Sequence, residues 1–189
     1  KAFLNKKGLI IGLSLVLLII FVFGGMYSSY MTNQIEVHEE ERFENSIIGM
    51  VNDGETLESF NSNGANETYT QPSTGEDYTP ELIGSYKVFD DSDQVIAYVY
   101  VIESRGNSDG FVAAYAISTN NDELLGVNVI SHQETTNVDD MYYNLISDDF
   151  FDRFEQKDLD VVDFSIDVIS GATYSSLAFD DGMKFAREL

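Results

Sequence analysis

The chain contains no cysteine, no tryptophan, two histidines and two prolines in 189 residues. Without cysteine there is no disulfide framework, no Cys-ligated zinc, no iron–sulfur cluster, no thiol nucleophile and no lipid-modified N-terminal cysteine. The histidines, His38 and His132, are too few for a His-based metal cage, and a Ser-His-Asp triad would have His132 as its single candidate base. Bases are also scarce, with 10 Lys and Arg against 33 Asp and Glu, a net charge of −23. Such a field repels phosphate backbones and excludes nucleic-acid binding by counterion release. Neither G-x-G-x-x-G nor G-x-x-x-x-G-K-[ST] occurs, nor a G-x-S-x-G elbow, so the usual dinucleotide, P-loop and hydrolase signatures are missing. The clusters Asp90-Asp91-Ser92-Asp93 and Asn107-Ser108-Asp109-Gly110 lack the calcium-loop pattern and read as solvated hairpin turns. No residue is assigned a catalytic role and none a metal.

A length of 189 residues leaves room for one compact domain and a small extra segment. The charge is unevenly placed. No acidic residue precedes Glu36, so residues 31–189 hold all 33 acids and seven of the bases, a net of −26. The other bases, Lys1, Lys6 and Lys7, stand directly before the uncharged run Gly8 to Tyr27. Twenty helical residues at about 1.5 Å each match a hydrocarbon core of about 30 Å. A cleaved signal peptide would have a shorter apolar region and a small-x-small site, which GGMYSSYM does not supply. A retained transmembrane helix is therefore expected over residues 8–30. The lysines place residues 1–7 in the cytoplasm and the acidic remainder outside the cytoplasmic membrane, with Tyr27 and Tyr30 at the outer boundary.

Beyond the span, Ile35, Phe43, Ile47, Ile48 and Val51 recur at three- and four-residue spacing and predict a helix over 34–52. Residues 61–80 are rich in Asn, Ser, Thr and Gly, contain both prolines, and read as a long loop. From Gly84 the period changes to two. SYKVF, QVIAYVYVI, FVAAYAIS and LLGVNVIS predict an antiparallel meander of about four strands. Then DDMYYNLISDDFFDRFEQ reads as a helix, VVDFSIDVI as a strand, and SLAFDDGMKFAREL as a closing helix. The fold class is α+β: an antiparallel sheet with flanking helices, preceded by the one N-terminal transmembrane helix.

One segment carries chemistry. In DVISGATYSS, Asp167 to Ser176, an alternating strand ends and a helix begins. Gly171 relieves the turn, and Thr173, Ser175 and Ser176 are available as helix caps. The residues admit two readings: an ordinary capped connection, or a helix start whose N–H groups attract a phosphate that a neighbouring hydroxyl holds covalently.

The same segment resembles, position by position, the D-x-x-[ST]-G-A-T-x-[ST] signature of FMN-binding domains. These occur in the membrane-bound Rnf-type ferredoxin:NAD oxidoreductases and the sodium-translocating NADH:quinone reductases. The matching residues are Asp167, Ser170, Gly171, Ala172, Thr173 and Ser175. The resemblance implies FMN joined through its phosphate to Ser175, with Ser176 as an adjacent hydroxyl, by a flavin transferase that uses FAD. A second stretch, Gly110 to Thr135, looks like the family's strand pair ending in a His-x-Glu-Thr turn, which maps onto His132, Glu134 and Thr135. There the family continues with Pro-Gly-Leu-Gly, whereas this chain has Thr136-Asn137-Val138-Asp139, without either glycine. His132 either bonds the flavin or simply ends a strand, and the pairs Tyr142-Tyr143 and Phe150-Phe151 either stack on the ring or form helix core.

The resemblance covers about residues 84–189, leaving 31–83 as a helix and loop connector between span and flavin domain. It implies an electron-transfer subunit of a Rnf-like ion-translocating complex, working with other membrane redox subunits and matured by the flavin transferase. Two other readings stand beside it: a stand-alone exported flavoprotein feeding extracellular acceptors, and an anchored structural or adhesive domain without cofactor. No nucleic-acid partner is expected.

Overall fold

Val, Ile, Tyr and Phe dominate four consecutive stretches separated by Asp/Asn/Gly turns, and each forms a strand. In the computed structural model, residues 24–32, 34, 38–63, 66–71, 73–107, 110–119, 123–132 and 173–189 are described. They are β1 (Thr56–Ser59), β2 (Tyr69–Thr70), β3 (Asp77–Tyr78), β4 (Glu81–Phe89), β5 (Val95–Ser104), β6 (Phe111–Ser118), β7 (Leu124–Ser131) and the helix α1 (Thr173–Arg187), beside helical residues at 24–32 and 38–48. The chain divides into two units, Lys1–Phe43 and Glu44–Leu189.

In the first unit residues 24–32 and 38–43 are helical. Among the described residues no helix is long and apolar enough to cross a membrane. Residues 1–23, which hold most of the expected span, lie outside the described residues.

In the second unit an antiparallel five-stranded sheet runs in the order β1-β4-β5-β6-β7. The predicted α+β class and the four-strand meander are both present. The β4–β5 connection is the expected polar turn: the Asp90 carboxylate accepts N–H bonds from Ser92 at 2.9 Å and Gln94 at 2.8 Å, and Asp93 adopts φ 57°. Its left-handed backbone is one that Asp tolerates.

The segment expected to be a connector contributes to this sheet. Strand β1 adds an edge by pairing Thr56↔Phe89 through Ser59↔Tyr86. Within the predicted loop, β2 and β3 form a small hairpin, with Tyr69↔Tyr78 paired and Gly75 at φ 73°. These strands are too short, and too rich in Thr, Ser and Asp, to show a period in sequence. Unit two begins at Glu44.

Both faces of the sheet are covered, which explains why β5 and β6 are nearly continuous apolar runs. One face presents Tyr100, Ile102, Phe111, Ala113, Tyr115 and Ile117 to α1, which buries Ala178, Phe179, Met183, Phe185 and Ala186 against them. The other face carries small residues, Ala97, Val99, Ala114, Ala116 and Gly126. There the turn that follows helical residues 44–48 lies close against the sheet, and Ile47 and Val51 are buried. A Cβ at Gly126 would stand 2.6 Å from the Met50 carbonyl oxygen, so glycine at that position is what permits the approach.

Helix α1 is buried around most of its circumference, with Tyr174, Lys184 and Arg187 as its exposed side chains. The sheet grips it with two hydroxyls. Ser104 Oγ donates to the Ala178 carbonyl at 2.7 Å and Tyr115 OH to the Phe179 carbonyl at 3.1 Å. These satisfy buried side-chain donors using spare lone pairs of helical carbonyls. Any Cβ at position 182 would run into the Tyr115 hydroxyl, which accounts for a glycine in mid-helix. The expected helix over 139–156 and strand over 161–169 lie outside the described residues.

Candidate functional site

The sequence placed its chemistry at the start of the last helix, and among the described residues α1 spans Thr173–Arg187. The first turn contains Thr173, Tyr174, Ser175 and Ser176 and holds no acidic residue, while Lys184 and Arg187 sit in the last turn. The positive end of the helix dipole therefore meets no carboxylate from that turn itself. Three Ser or Thr residues stand within four positions at this end of the helix, a residue chemistry compatible with a phosphate group.

The hydroxyls differ in access. Ser175 and Ser176 are buried, at 8% and 4% exposure, whereas Tyr174 between Thr173 and Ser175 is 42% exposed. His132 follows the last residue of β7, half-buried, on the strand next to β6, against which α1 packs. That is the strand-end position expected for it. Asp167, Ser170, Gly171, Ala172, Glu134 and Thr135 lie outside the described residues, as do Tyr142-Tyr143 and Phe150-Phe151.

Further along α1 stands a polar cluster that sequence reasoning missed. Asp180 and Asp181 are buried, at 2% and 9% exposure. Lys184 Nζ pairs with Asp180 Oδ2 at 2.6 Å, one helical turn away. Tyr78 of the hairpin donates its phenol to Asp181 Oδ2 at 2.8 Å. Burial, reinforced by the adjacent charge of Asp180, pushes the Asp181 carboxyl up to about 6, against the lowering effects of the Tyr78 bond and Lys184. The Tyr78 phenol is itself raised above its ordinary value, first by burial and then by the negative charge of Asp181. Arg105 lies over the Tyr78 ring, 5.5 Å from its centroid, and the Tyr69 ring lies 6.3 Å from that of Tyr78.

The hairpin is also fastened at its turn. Gln71 Nε2 and Ser73 Oγ both donate to the Gly106 carbonyl, at 3.3 and 3.1 Å. One signal for this cluster was available in the sequence: two acids inside the apolar pattern of SLAFDDGMKF, where the helix period turns them toward the core. Tyr78, in a loop-like stretch, gave none.

At the opposite end of α1 from Ser175 is a cleft of about 220 Å³ lined by Tyr98, Tyr100, Ile117, Thr119, Arg187 and Leu189 among others. It is small beside the roughly 300–1,000 Å³ of typical cofactor pockets.

Comparison with known proteins bears on the first-turn site. No curated protein matched the chain. Residues 106–188, from the β5–β6 connection through β6, β7 and α1, match the family model of the FMN-binding domain. That span contains the hydroxyl-bearing first turn of α1, both sheet hydroxyls' helical acceptors and the Asp180-Asp181 pair, and over it the chain is similar to the FMN-binding domain family.

Proposed function

We propose that this protein is a membrane-anchored electron-transfer flavoprotein in which FMN is held covalently, through its phosphate, on the first turn of α1. The match of residues 106–188 to the FMN-binding domain carries this reading. It is supported by the SGATYSS segment running into a helix start that no carboxylate of its first turn neutralises. Bound FMN supplies the one- and two-electron redox chemistry. The chain's own residues do the rest. Backbone N–H groups of the first turn hold phosphate oxygens. A first-turn hydroxyl supplies the ester oxygen. Ser104 and Tyr115 keep the helix fixed on the sheet through their bonds to Ala178 and Phe179. A phosphoester retains the cofactor in an exported domain, where a dissociable flavin would be lost by dilution.

The signature resemblance selects Ser175 as the ester residue. Its burial, and that of Ser176, requires the flavin transferase to reach it before the first turn of α1 seats on the sheet. Ser176, the adjacent hydroxyl on the same turn, is the alternative ester residue. Peptide mapping by mass spectrometry, after coexpression with a flavin transferase, decides between them. An FMN-sized mass is expected on the peptide spanning Thr173 to Ser176, and fragment ions locate it. An unmodified peptide would overturn covalent attachment.

In the cell this domain is proposed to stand outside the cytoplasmic membrane on the span of residues 8–30, relaying electrons among subunits of a Rnf-like ion-translocating complex. Copurification with polytopic membrane redox subunits is the expected outcome. Isolation as a lone flavoprotein would favour the stand-alone exported carrier.

A further inference from the structure

Tyr69 and Tyr78, cross-strand partners in the β2–β3 hairpin, are alike in one respect. Each phenol donates its hydrogen to a carboxylate, Tyr78 to Asp181 Oδ2 at 2.8 Å and Tyr69 to Glu67 Oε2 at 2.7 Å. Their rings stand 6.3 Å apart between centroids, tilted by 47°, close enough for an electron to pass between them. Tyr115, by contrast, donates to the Phe179 carbonyl, which is too weak a base to take a proton. A phenol that has lost an electron becomes strongly acidic. A carboxylate already bonded to its hydrogen then takes the proton without rearrangement.

Surroundings make the two phenols unequal. Tyr78 is buried, at 6% exposure, and so is its acceptor, whereas Tyr69 is half-buried and its acceptor Glu67 is exposed. The charged and titratable groups that bear on the inner pair are Asp180 and Lys184 of α1, Arg105 after β5 and Tyr115 of β6, while Tyr69 feels both Asp181 and Glu188. Lys184 pairs with Asp180 at 2.6 Å, so two adjacent carboxylates share one ammonium. Oxidation of Tyr78 with transfer of its proton turns a phenol and a carboxylate into a neutral radical and a neutral acid. One buried negative charge disappears, an outcome that burial favours. Arg105, 5.5 Å from the Tyr78 ring centroid, opposes a positive charge on that ring. Electron loss there therefore requires proton loss in the same step, which the 2.8 Å bond permits.

We propose that Tyr78 is a redox-active tyrosine, with Asp181 as its proton acceptor and Tyr69 as the residue through which its electron leaves toward the surface. The partner is a strong one-electron oxidant of the oxygen-radical or high-valent-metal class. One electron passes from Tyr78 by way of Tyr69 to the oxidant, which is reduced by one electron. The proton moves from the Tyr78 phenol oxygen to Asp181 Oδ2, so one O–H bond breaks and one forms. Return of an electron reverses both movements. Buried as it is, the Tyr78 radical is shielded from the solutes that quench radicals on exposed tyrosines. Because burial lifts the Asp181 carboxyl to about 6, it is ionised and ready to accept above that pH and already protonated below it. The step uses no flavin, and it holds whether or not the first turn of α1 carries one.

The test uses the full-length protein, with photogenerated tris(bipyridine)ruthenium(III) as the oxidant and persulfate as sacrificial acceptor. Electron paramagnetic resonance is recorded on samples frozen after the flash. A tyrosyl signal that outlasts the oxidant is expected, narrowed in protein grown on ring-deuterated tyrosine. It should be lost in Tyr78→Phe and in Asp181→Asn, and should form more slowly in Tyr69→Phe. Asp181→Asn guards against a folding defect, since its amide still accepts the Tyr78 hydrogen bond but takes no proton. In the unsubstituted protein the yield should rise about tenfold between about pH 5 and pH 7, following a group that ionises near 6. Absence of a lasting tyrosyl signal, its survival in Asp181→Asn, an unchanged rate in Tyr69→Phe, or a yield flat across that pH range would overturn the proposal.

Discussion

Tyr78 and Asp181, 103 residues apart in sequence, are joined by a single 2.8 Å hydrogen bond between a two-stranded hairpin and the C-terminal helix. The bond ties the hairpin to α1, and Gln71 and Ser73 fasten it to the Gly106 carbonyl. Tyr78→Phe removes the donor and leaves a buried carboxylate behind. A loss of about 1–3 kcal/mol at neutral pH is expected by denaturant unfolding. Amide exchange should quicken in residues 69–78 more than in β5 and β6.

The raised Asp181 carboxyl predicts a direction for stability against pH. Folded, the group binds its proton more tightly than in the unfolded chain, whose value is near the ordinary 3.8. Its contribution is fully present below about 4, and is lost as pH rises through about 6. Asp181→Asn keeps an acceptor for Tyr78 and removes the charge. It should stabilise the protein above pH 6 by up to about 3 kcal/mol, and should flatten the fall in stability between pH 4 and 6. Urea midpoints of both proteins at several pH values check this.

Gly182 and Tyr115 predict a coupled pair. Gly182→Ala drives a methyl group into the Tyr115 hydroxyl, and should cost about 1–3 kcal/mol. Tyr115→Phe alone loses the bond to the Phe179 carbonyl. Combined, the substitutions should cost less than their sum, because the second removes the nearest of the Tyr115 atoms that the first strikes. A double-mutant cycle by thermal or urea unfolding measures the difference.

The first turn of α1 predicts a pattern across three variants. Thr173→Ala, Ser175→Ala and Ser176→Ala are each coexpressed with a flavin transferase and scored by in-gel flavin fluorescence. One of the three should lose fluorescence completely while the other two retain it. Loss in Ser175→Ala supports the residue chosen by the signature, and loss in Ser176→Ala supports the adjacent hydroxyl.

Much of this was legible in the sequence, and for identifiable reasons. The meander appeared because β4 to β7 alternate or run apolar for eight to ten residues between Asp- and Asn-rich turns. The last helix appeared because Phe179, Met183, Phe185 and Ala186 recur on one stripe, and each is buried. Strand β1 was invisible because TLES has one apolar residue and owes its conformation to pairing with β4. The hairpin was invisible because its strands are two residues each. At the site, the hydroxyl-rich helix start was readable from a local signature. The Tyr78–Asp181 bond was not, since it depends on a distant segment folding back.

The burial of Ile47 and Val51 has a mechanical consequence. Tension arriving along the chain from before Glu44 meets these two side chains before it reaches the β1–β4 ladder. Peeling the edge strand from that side first requires extracting two apolar groups, at roughly 1.5–3 kcal/mol each. The turn at 47–51 thus acts as a strain relief, shielding the sheet, and the helix gripped on its other face, from pulls on the N-terminal segment.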